Sequence, residues 1–317
     1  MTTYAGPGTA SGATSASRRS AKAPARAARR RSSARAGRRS TRILLNLAAI
    51  AAFIFATFPV YWMVKTSLVP TTSILGDGSS GAPQVLPFPL TFEHYARQFQ
   101  GSAGQQPLSD ALYRSLFVAL ASVLLSMVVA FLAAIAIARF RFTGRAVYLI
   151  ALMGIQMIPL EAMVIPIYTT LRDADALDSL WSLVALYLVF VIPFTIWTLR
   201  SFIAGIPVDL EEAAMIDGCT RFQAFWKVLF PLIAPGLVAT SIYAFIQAWN
   251  EYIFCLTIMN TGHGTLPVWL GQFTGKEGTD WGAVMAGSTL FTIPVVILFI
   301  LIQKKITTGM AAGAVKG

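Results

Sequence analysis

Six long apolar runs recur along the chain, and their length constrains the fold more than any other feature. A helix rises about 1.5 Å per residue, so about 20 apolar residues cross the ~30 Å hydrocarbon core of a membrane. Only 12% of the residues are charged, about half the share found in a soluble domain. The sequence therefore predicts an all-α polytopic membrane protein with six transmembrane helices. The runs cover about 43–64, 112–138, a third from 146 that Pro159 and Pro166 break, 180–199, 232–259 and 282–302.

The positive charge is concentrated in residues 1–42, which hold ten arginines, one lysine and no acid. This excess equals the net charge of the whole chain, +11, so the remainder is neutral. The scarcity of large apolar residues in 1–42 predicts a disordered Arg-rich tail, followed by a transmembrane domain over 43–317. Basic residues also follow the second and sixth runs. Because such residues stay on the cytoplasmic side, both termini are predicted to be cytoplasmic, where the charge of the tail suits anionic lipid.

One extended polar stretch, Asp209–Pro235, interrupts the apolar runs with the sequence DLEEAAMIDGCTRFQAFWKVLFPLIAP. Good helix formers with acids at their start predict a helix over 210–216, and Gly218 then stops it. Apolar residues at helical spacing predict a second short helix from Phe222 to Leu229. Pro231 marks entry into the next span. We therefore expect a helix–glycine–helix elbow hung between two membrane helices.

The spacing of this stretch resembles the EAA loop of permease subunits in binding-protein-dependent ABC importers. The resemblance covers about 43–317, and the form of 216–235 is similar to the carbohydrate-uptake branch, the maltose-type inner-membrane permeases. Cys219 departs from that pattern, because the family usually has Ala there. The resemblance implies the ABC type I importer permease fold and a coupling loop at about 201–231. The residues that carry the motif are Glu212, Ala213, Ala214, Asp217, Gly218, Phe225, Val228 and Pro231.

The resemblance also implies a function and a set of partners. The chain would translocate a sugar, an oligosaccharide, across the cytoplasmic membrane of a prokaryote. Its partners would be a second homologous permease, an ATPase subunit dimer, an extracytoplasmic sugar-binding protein and the lipid membrane, with no nucleic acid. This chain would bind no cofactor, because ATP and Mg are used by the ATPase. The expected ATPase-coupling residues are Glu211, Glu212, Ala213, Ala214, Asp217, Gly218, Phe225 and Pro231.

Polar residues deep in predicted spans are candidates for a substrate path, because ionisable groups there usually face a cavity or a partner helix. Packing against a neighbouring helix is the alternative. The candidates are Gln156, Glu161, Gln247, Trp249, Asn250 and Glu251. In maltose-type importers the loop matching 260–281 reaches into the binding protein, and its glycines suit a flexible probe. The expected contacts there are Gly262, His263, Gly264 and Phe273. Residues 303–317 are predicted to form a cytoplasmic tail, and its end, 309–317, resembles tails that lie against the ATPase dimer.

Other classes of protein receive little support from the sequence. No Walker A motif or nucleophile–base motif is recognisable, and the two histidines and two cysteines suggest neither a metal site nor a disulfide framework. We therefore expect a transport subunit, with ATP hydrolysis done by another chain. Two alternatives remain open at this point. One is an importer permease for peptides, polyamines or phosphate, and the other is a polytopic enzyme or scaffold without an ATPase partner.

Overall fold

The computed structural model describes residues 23–75, 86, 88–101, 105–259, 263–275 and 278–314, with side chains between 41 and 303. The chain divides into two compact units, Met1–Tyr61 and Trp62–Gly317. In the first unit, helix α1 begins at Ala23, and the whole helix spans Ala23–Ser67. The sequence predicts disorder over 1–42, whereas 23–42 are helical and 1–22 lie outside the described residues. Alanine and arginine are among the best helix formers, so the helix of the first span extends into the tail.

The second unit is a bundle of helices with a β-hairpin whose strands have two residues each. Its elements in chain order are α2 Thr71–Leu75, α3 Glu93–Gln100, α4 Leu108–Arg139, α5 Arg145–Gln156, a 3₁₀ turn Leu160–Met163, α6 Val164–Asp173, α7 Leu180–Ala204, α8 Asp209–Ile216, α9 Arg221–Ala224, a π-helical turn Phe225–Leu229, α10 Phe230–Asn250, α11 Ile253–Ile258, α12 Leu266–Gly271, β1 Thr274–Gly275, β2 Gly278–Thr279 and α13 Trp281–Ala314. Strands β1 and β2 pair antiparallel.

Helix α4 is the centre of this bundle and packs most extensively against α7, and next against α10. It presents a buried row of small residues at intervals of three or four positions, which is one face of a helix. Small side chains let two helix backbones approach closely, as membrane helix interfaces require. The far end of the bundle is where α4 begins at Leu108, and the elbow end is where it finishes at Arg139. The buried row is Ala111, Ser115, Ala119, Ser122, Ser126, Ala130 and Ala134.

The predicted number of spans is confirmed. Among the described residues, five helices are long and apolar enough to cross a membrane, at 41–67, 108–139, 180–204, 221–250 and 281–303. The sixth is a broken pair, Arg145–Gln156 and Leu160–Asp173, bent by 86°. Proline disfavours helical geometry in the residue before it, so the break falls at Pro159, where the sequence predicts one. The second predicted break, at Pro166, is wrong, because Pro166 lies in the first turn of α6, where a proline is tolerated.

The fifth span differs from its prediction at both ends. The helix begins as early as Arg221 and stops at Asn250, whereas the sequence predicts a span over 232–259. Glu251 is extended, with φ −68° and ψ 130°, and the short α11 follows as a separate helix. The second helix of the elbow is likewise part of this run, because α9 and the π-helical turn lead into α10 without interruption. The second half of the elbow is therefore a continuous extension of a membrane helix.

Candidate functional site

The elbow has the helix–glycine–helix form that the sequence predicts. Asp209, Glu211 and Glu212 lie in the first turn of α8, where the positive end of the helix dipole favours carboxylates. The helix ends at Ile216 with Asp217 as its C-cap, and Gly218 has φ of +90°, which an L-residue with a side chain rarely adopts. A Cβ at Gly218 would meet nothing within 4 Å. The glycine is therefore required by backbone conformation and not by space.

A capping box starts the second half of the elbow. The Thr220 hydroxyl accepts a hydrogen bond from the backbone N–H of Gln223 at 3.2 Å, and the Gln223 side chain accepts one from the N–H of Thr220 at 2.9 Å. Two backbone donors that a helix start leaves unpaired are satisfied in this way. The spacing Thr-x-x-Gln is visible in the sequence, so this signal could have been used to place the start of α9.

The π-helical turn at Phe225–Leu229 joins the elbow to α10. The N–H of Phe230 donates to the carbonyl of Phe225, five residues back. Pro231 explains the wide turn, because a proline has no N–H to donate and its ring clashes with the carbonyl four residues earlier. Such single turns of π-helix are frequent at functional sites. The ring of Phe225 lies 5.8 Å from that of Phe131 on α4, so the junction also packs on the central helix.

The predicted coupling residues divide into an exposed and a shielded set. Ala214, Phe225 and Glu211 are partly buried, and Glu211 Oε1 lies 2.7 Å from Arg139 Nη2. A cavity of about 530 Å³ separates parts of the elbow from the end of α4. In the sequence Arg139 is only one of the basic residues that follow the second apolar run, and residue spacing gives no sign of its long-range partner. The exposed residues of the set are Glu212, Ala213, Asp217, Gly218 and Pro231.

A second cavity, of about 240 Å³, collects four of the six predicted substrate-path residues. Tyr187, Phe190 and Tyr252 add aromatic rings to its lining. The cavity combines rings with amide and carboxyl groups, which is the usual make-up of a site for a polar organic ligand. The four residues are Glu161, Gln247, Asn250 and Glu251.

Gln156 and Trp249 do not line this cavity. Gln156 is exposed at the end of α5, on the other side of the bend from Glu161. Trp249 is 1% exposed and stacks on Phe245 and Phe291. Its indole N–H donates to the carbonyl of Phe291 at 3.3 Å. Trp249 therefore packs in the core of the bundle.

Glu251 has a structural role at the edge of the cavity. Its carboxylate accepts hydrogen bonds from the backbone N–H groups of Phe254 at 2.8 Å and Cys255 at 3.2 Å. The hydroxyl of Tyr187 donates to the same group. The carboxylate thus caps the start of α11 and ties it to α7, which explains why the helix stops at Asn250. Glu161, Gln247 and Asn250 are exposed and are better placed to meet a ligand.

The loop before α13 is held tightly where the structure describes it. The Gln106 side chain donates to the carbonyl of Gly264 at 3.0 Å and accepts from its N–H at 2.8 Å. The N–H of Leu266 donates to the Ser115 hydroxyl, and the Trp269 indole donates to the carbonyl of Gln106. This part of the loop therefore differs from the flexible probe that its glycines predict.

The expected binding-protein contacts lie in different surroundings. His263 is exposed, with Nδ1 3.2 Å from Asp110 Oδ2. Phe273 packs edge-on against Trp269 at 4.9 Å between ring centres. Gly264 is buried, and a Cβ there would lie 2.6 Å from the side chain of Val268, so close packing requires the glycine. Gly262 lies outside the described residues.

Comparisons with known proteins agree with one another. The family model described as "Binding-protein-dependent transport system inner membrane component" matches residues 126–312. The diacetylchitobiose uptake system permease protein DasC of Streptomyces coelicolor is 44% identical over 87% of this chain and 98% of its own length. The trehalose transport system permease protein SugB of Mycobacterium tuberculosis is 36% identical over 83% of this chain and 93% of its own.

A solved structure is similar to the fold. One chain of a bacterial ABC transporter involved in the import of the acidic polysaccharide alginate superposes with a TM-score of 0.67. It is 22% identical, and the match covers 84% of this chain and 97% of that one. At this identity the likeness establishes the architecture of the bundle.

Proposed function

Because the chain belongs to the family of binding-protein-dependent transport system inner membrane components, it is an inner-membrane permease subunit of an ABC importer, and we propose that it carries a short oligosaccharide. It is a transport subunit and not an enzyme, since in this family the ATPase is a separate subunit. The observation that carries the proposal is the elbow, an exposed, acidic, helical extension of a membrane span. Such an element can be pushed as a rigid body by a partner outside the membrane.

The elbow couples the spans to the ATPase in this proposal, and the end of the bundle that carries it faces the cytoplasm, as do both termini. Glu212 and Asp217 contact basic groups of the ATPase subunit, while Gly218 sets the turn between the two helical halves. Closure of the ATPase dimer on ATP and Mg displaces α8 and α9. The π-helical turn and Pro231 pass this displacement to α10. The inward-open and outward-open states differ in free energy by only a few kcal/mol, so a partner that binds one state better at either face shifts the equilibrium between them.

The cargo is proposed from the cavity and from the relatives. Diacetylchitobiose and trehalose, named for the two relatives, are both sugars built of two units. Asn250, Gln247 and Glu161 can exchange hydrogen bonds with hydroxyls, and the rings of the cavity can pack on sugar faces. The cavity forms this chain's side of the path, and the second permease supplies the other. At the far end, His263 and Phe273 contact the sugar-binding protein.

The lining of the cavity separates this proposal from two alternatives. None of the lining residues in the described part of the chain is basic, and two are glutamates. A phosphate ion would meet no counter-charge there, so a phosphate permease is disfavoured. A polyamine would find one accessible carboxylate, Glu161, because Glu251 is occupied by backbone N–H groups and Tyr187.

The coupling role is tested by co-expression with the second permease, the ATPase subunit and the binding protein. The complex is extracted in mild detergent and captured through a tag on this chain. We expect wild type to bring down the ATPase, and Glu212→Arg and Gly218→Val to lose most of it. Asp173→Arg is the matched control, because it reverses the charge of an exposed acid on α6. Equal capture by all four proteins would refute the coupling role of the elbow.

The cargo is tested with the same complex in nanodiscs. ATP hydrolysis is measured with the binding protein and either diacetylchitobiose, trehalose, spermidine or inorganic phosphate. We expect stimulation by at least one of the two sugars and none by spermidine or phosphate. Stimulation by phosphate or spermidine alone would show that the chain is a permease for a different solute, while leaving the coupling role intact.

A further inference from the structure

Arg139, at the last position of α4, contacts the elbow and the segment just before it. Its Nη2 lies 2.7 Å from Glu211 Oε1 and donates to the carbonyl of Ile206 at 3.2 Å. The side chains of Arg139 and Glu211 are only 12% and 20% exposed. We propose that these two residues form a positioning pair that ties the elbow to α4, so that displacement of α8 is passed to the central helix as well as to α10. This inference rests on the proposed function.

The position of Arg139 follows from the way α4 ends. Phe140 is extended, with ψ of 145°, so the chain leaves the helix directly after Arg139. Arg141 and Phe142 are exposed. Arg139 contacts the elbow whereas Arg141 is exposed, so the role of Arg139 differs from that of a general cytoplasmic charge.

The contact between α8 and α4 depends on this pair more than on apolar packing. Helix α8 packs chiefly against α9 and the π-helical turn. A cavity of about 530 Å³, lined by both Arg139 and Glu211, lies between the elbow and the end of α4. Arg139 Nε and Glu211 Oε1 are buried without a well-formed hydrogen bond among the described residues. Neutralising either partner would therefore leave the other as an uncompensated shielded charge.

Two adjacent glutamates acquire different tasks in this arrangement. Successive residues on a helix point in directions about 100° apart, so Glu211 and Glu212 cannot face the same partner. Glu211 is turned inward to Arg139, and Glu212 is exposed. Helix α8 thus holds the transmembrane bundle with one acid and offers the next to the ATPase.

Displacement of the end of α4 would reach the opposite face of the molecule. Helix α4 runs unbroken over 32 residues from Leu108 to Arg139, about 48 Å. At the far end its Ser115 accepts a hydrogen bond from the N–H of Leu266, in the loop proposed to meet the binding protein. Helix α4 therefore connects the ATPase side of the molecule directly with the binding-protein side, and the Arg139–Glu211 pair lies at its cytoplasmic end.

The test uses the complete complex in nanodiscs with Arg139→Gln, Glu211→Gln and the charge swap Arg139→Glu/Glu211→Arg. Arg141→Gln is the matched control, since it removes an exposed arginine two positions away. We expect both single variants to capture the ATPase as wild type does, yet to lose about tenfold or more of the sugar-stimulated ATP hydrolysis. The swap should recover most of it, and the control should match wild type.

Hydrogen–deuterium exchange of 206–216 supplies a readout independent of transport. We expect this segment to exchange about tenfold faster in Arg139→Gln and Glu211→Gln, and at the wild-type rate in Arg141→Gln. In Glu212→Gln we expect reduced ATPase capture, while 206–216 should exchange at the wild-type rate. Arg139→Lys, which keeps the charge, serves if the glutamine variant fails to insert, and it should retain most of the stimulated hydrolysis.

The outcomes separate the two proposals. If Arg139→Gln matches Arg141→Gln in stimulated hydrolysis and in exchange, the positioning pair is refuted while the proposed function stands. Failure of the swap to recover either quantity also counts against the pair. If wild type itself captures no ATPase, the proposed function fails, and the coupling role of the pair fails with it.

Discussion

The two ends of α4 are held in opposite ways. At the far end, the described part of the loop before α13 is fixed by Gln106, Ser115 and Trp269 through buried hydrogen bonds with good geometry. At the elbow end, α8 lies over a cavity and contacts α4 through Arg139 and Glu211. This difference indicates that the elbow end can move more easily than the far end.

This difference follows from the cost of opening each contact. Separating the far-end loop from α4 would expose an indole and leave several buried backbone groups without partners, each at about 1–3 kcal/mol. Displacing α8 from α4 exposes little apolar surface, because α8 has no fully buried residue and the cavity lies between the two helices. Segments with few buried apolar contacts open at low free energy. We therefore expect the far end to contribute to global stability and the elbow to respond to a partner.

The largest effect that this comparison predicts is on Trp269. Its side chain is 1% exposed and its indole N–H donates to the carbonyl of Gln106. Trp269→Ala should lower the free energy of unfolding by about 3–5 kcal/mol, because it removes buried apolar area and leaves a carbonyl unpaired. Thermal unfolding of the detergent-solubilised protein measures the loss.

Trp281→Ala is the control for Trp269→Ala, because it removes the same side chain from a position that is 51% exposed. We expect its midpoint to shift only slightly. Comparable losses in the two variants would mean that the far-end loop is no more tightly held than the surface, and the contrast with the elbow would disappear.

A smaller effect is expected at Gly264 in the same loop. A Cβ added there would lie 2.6 Å from the Val268 side chain, and a short, branched side chain cannot swing clear. Gly264→Ala should therefore cost about 1–3 kcal/mol by overpacking. The double variant Gly264→Ala/Val268→Ala should recover part of that loss. Gly275→Ala, where a Cβ meets nothing within 4 Å, should be near neutral in the same thermal assay. A neutral Gly264→Ala would show that the loop can yield.

The features that could be predicted from sequence are those set by local patterns. Apolar length gives the number of spans, the break at Pro159 follows from the chemistry of proline, and the stop at Gly218 follows from its freedom to adopt positive φ. The capping box at Thr220 and the small-residue row along α4 are equally local. Both signals are present in the sequence and could have been used.

The remaining features depend on side chains that are distant in sequence. The early end of α10 is explained by Glu251, which binds Tyr187 and the start of α11, and no local pattern distinguishes such a cap from a substrate-binding acid. Trp249 and Asn250 are adjacent, yet one packs in the core and the other lines the cavity. The pairing of Glu211 with Arg139 joins positions 72 apart in the sequence. Three-dimensional packing decides each of these cases.

The smallest predicted effect is a local one in the elbow. Thr220→Ala removes the hydroxyl that accepts from the N–H of Gln223, and loss of such a cap costs about 1 kcal/mol. Because α9 begins in an exposed part of the elbow, we expect this cost to appear as local opening. Amide exchange at Gln223 and Ala224 should rise about fivefold, since 1.4 kcal/mol corresponds to a factor of ten. The thermal midpoint of the whole protein should stay within about a degree of wild type.

Thr220→Ser is the matched control, because serine keeps the hydroxyl and caps helices as well as threonine does. Its exchange at Gln223 and Ala224 should equal that of wild type. A fall in the thermal midpoint of Thr220→Ala comparable to that of Trp269→Ala would show that the elbow unfolds together with the bundle. In that case the two ends of α4 would belong to one cooperative unit, and the elbow could not open locally while the spans stay folded.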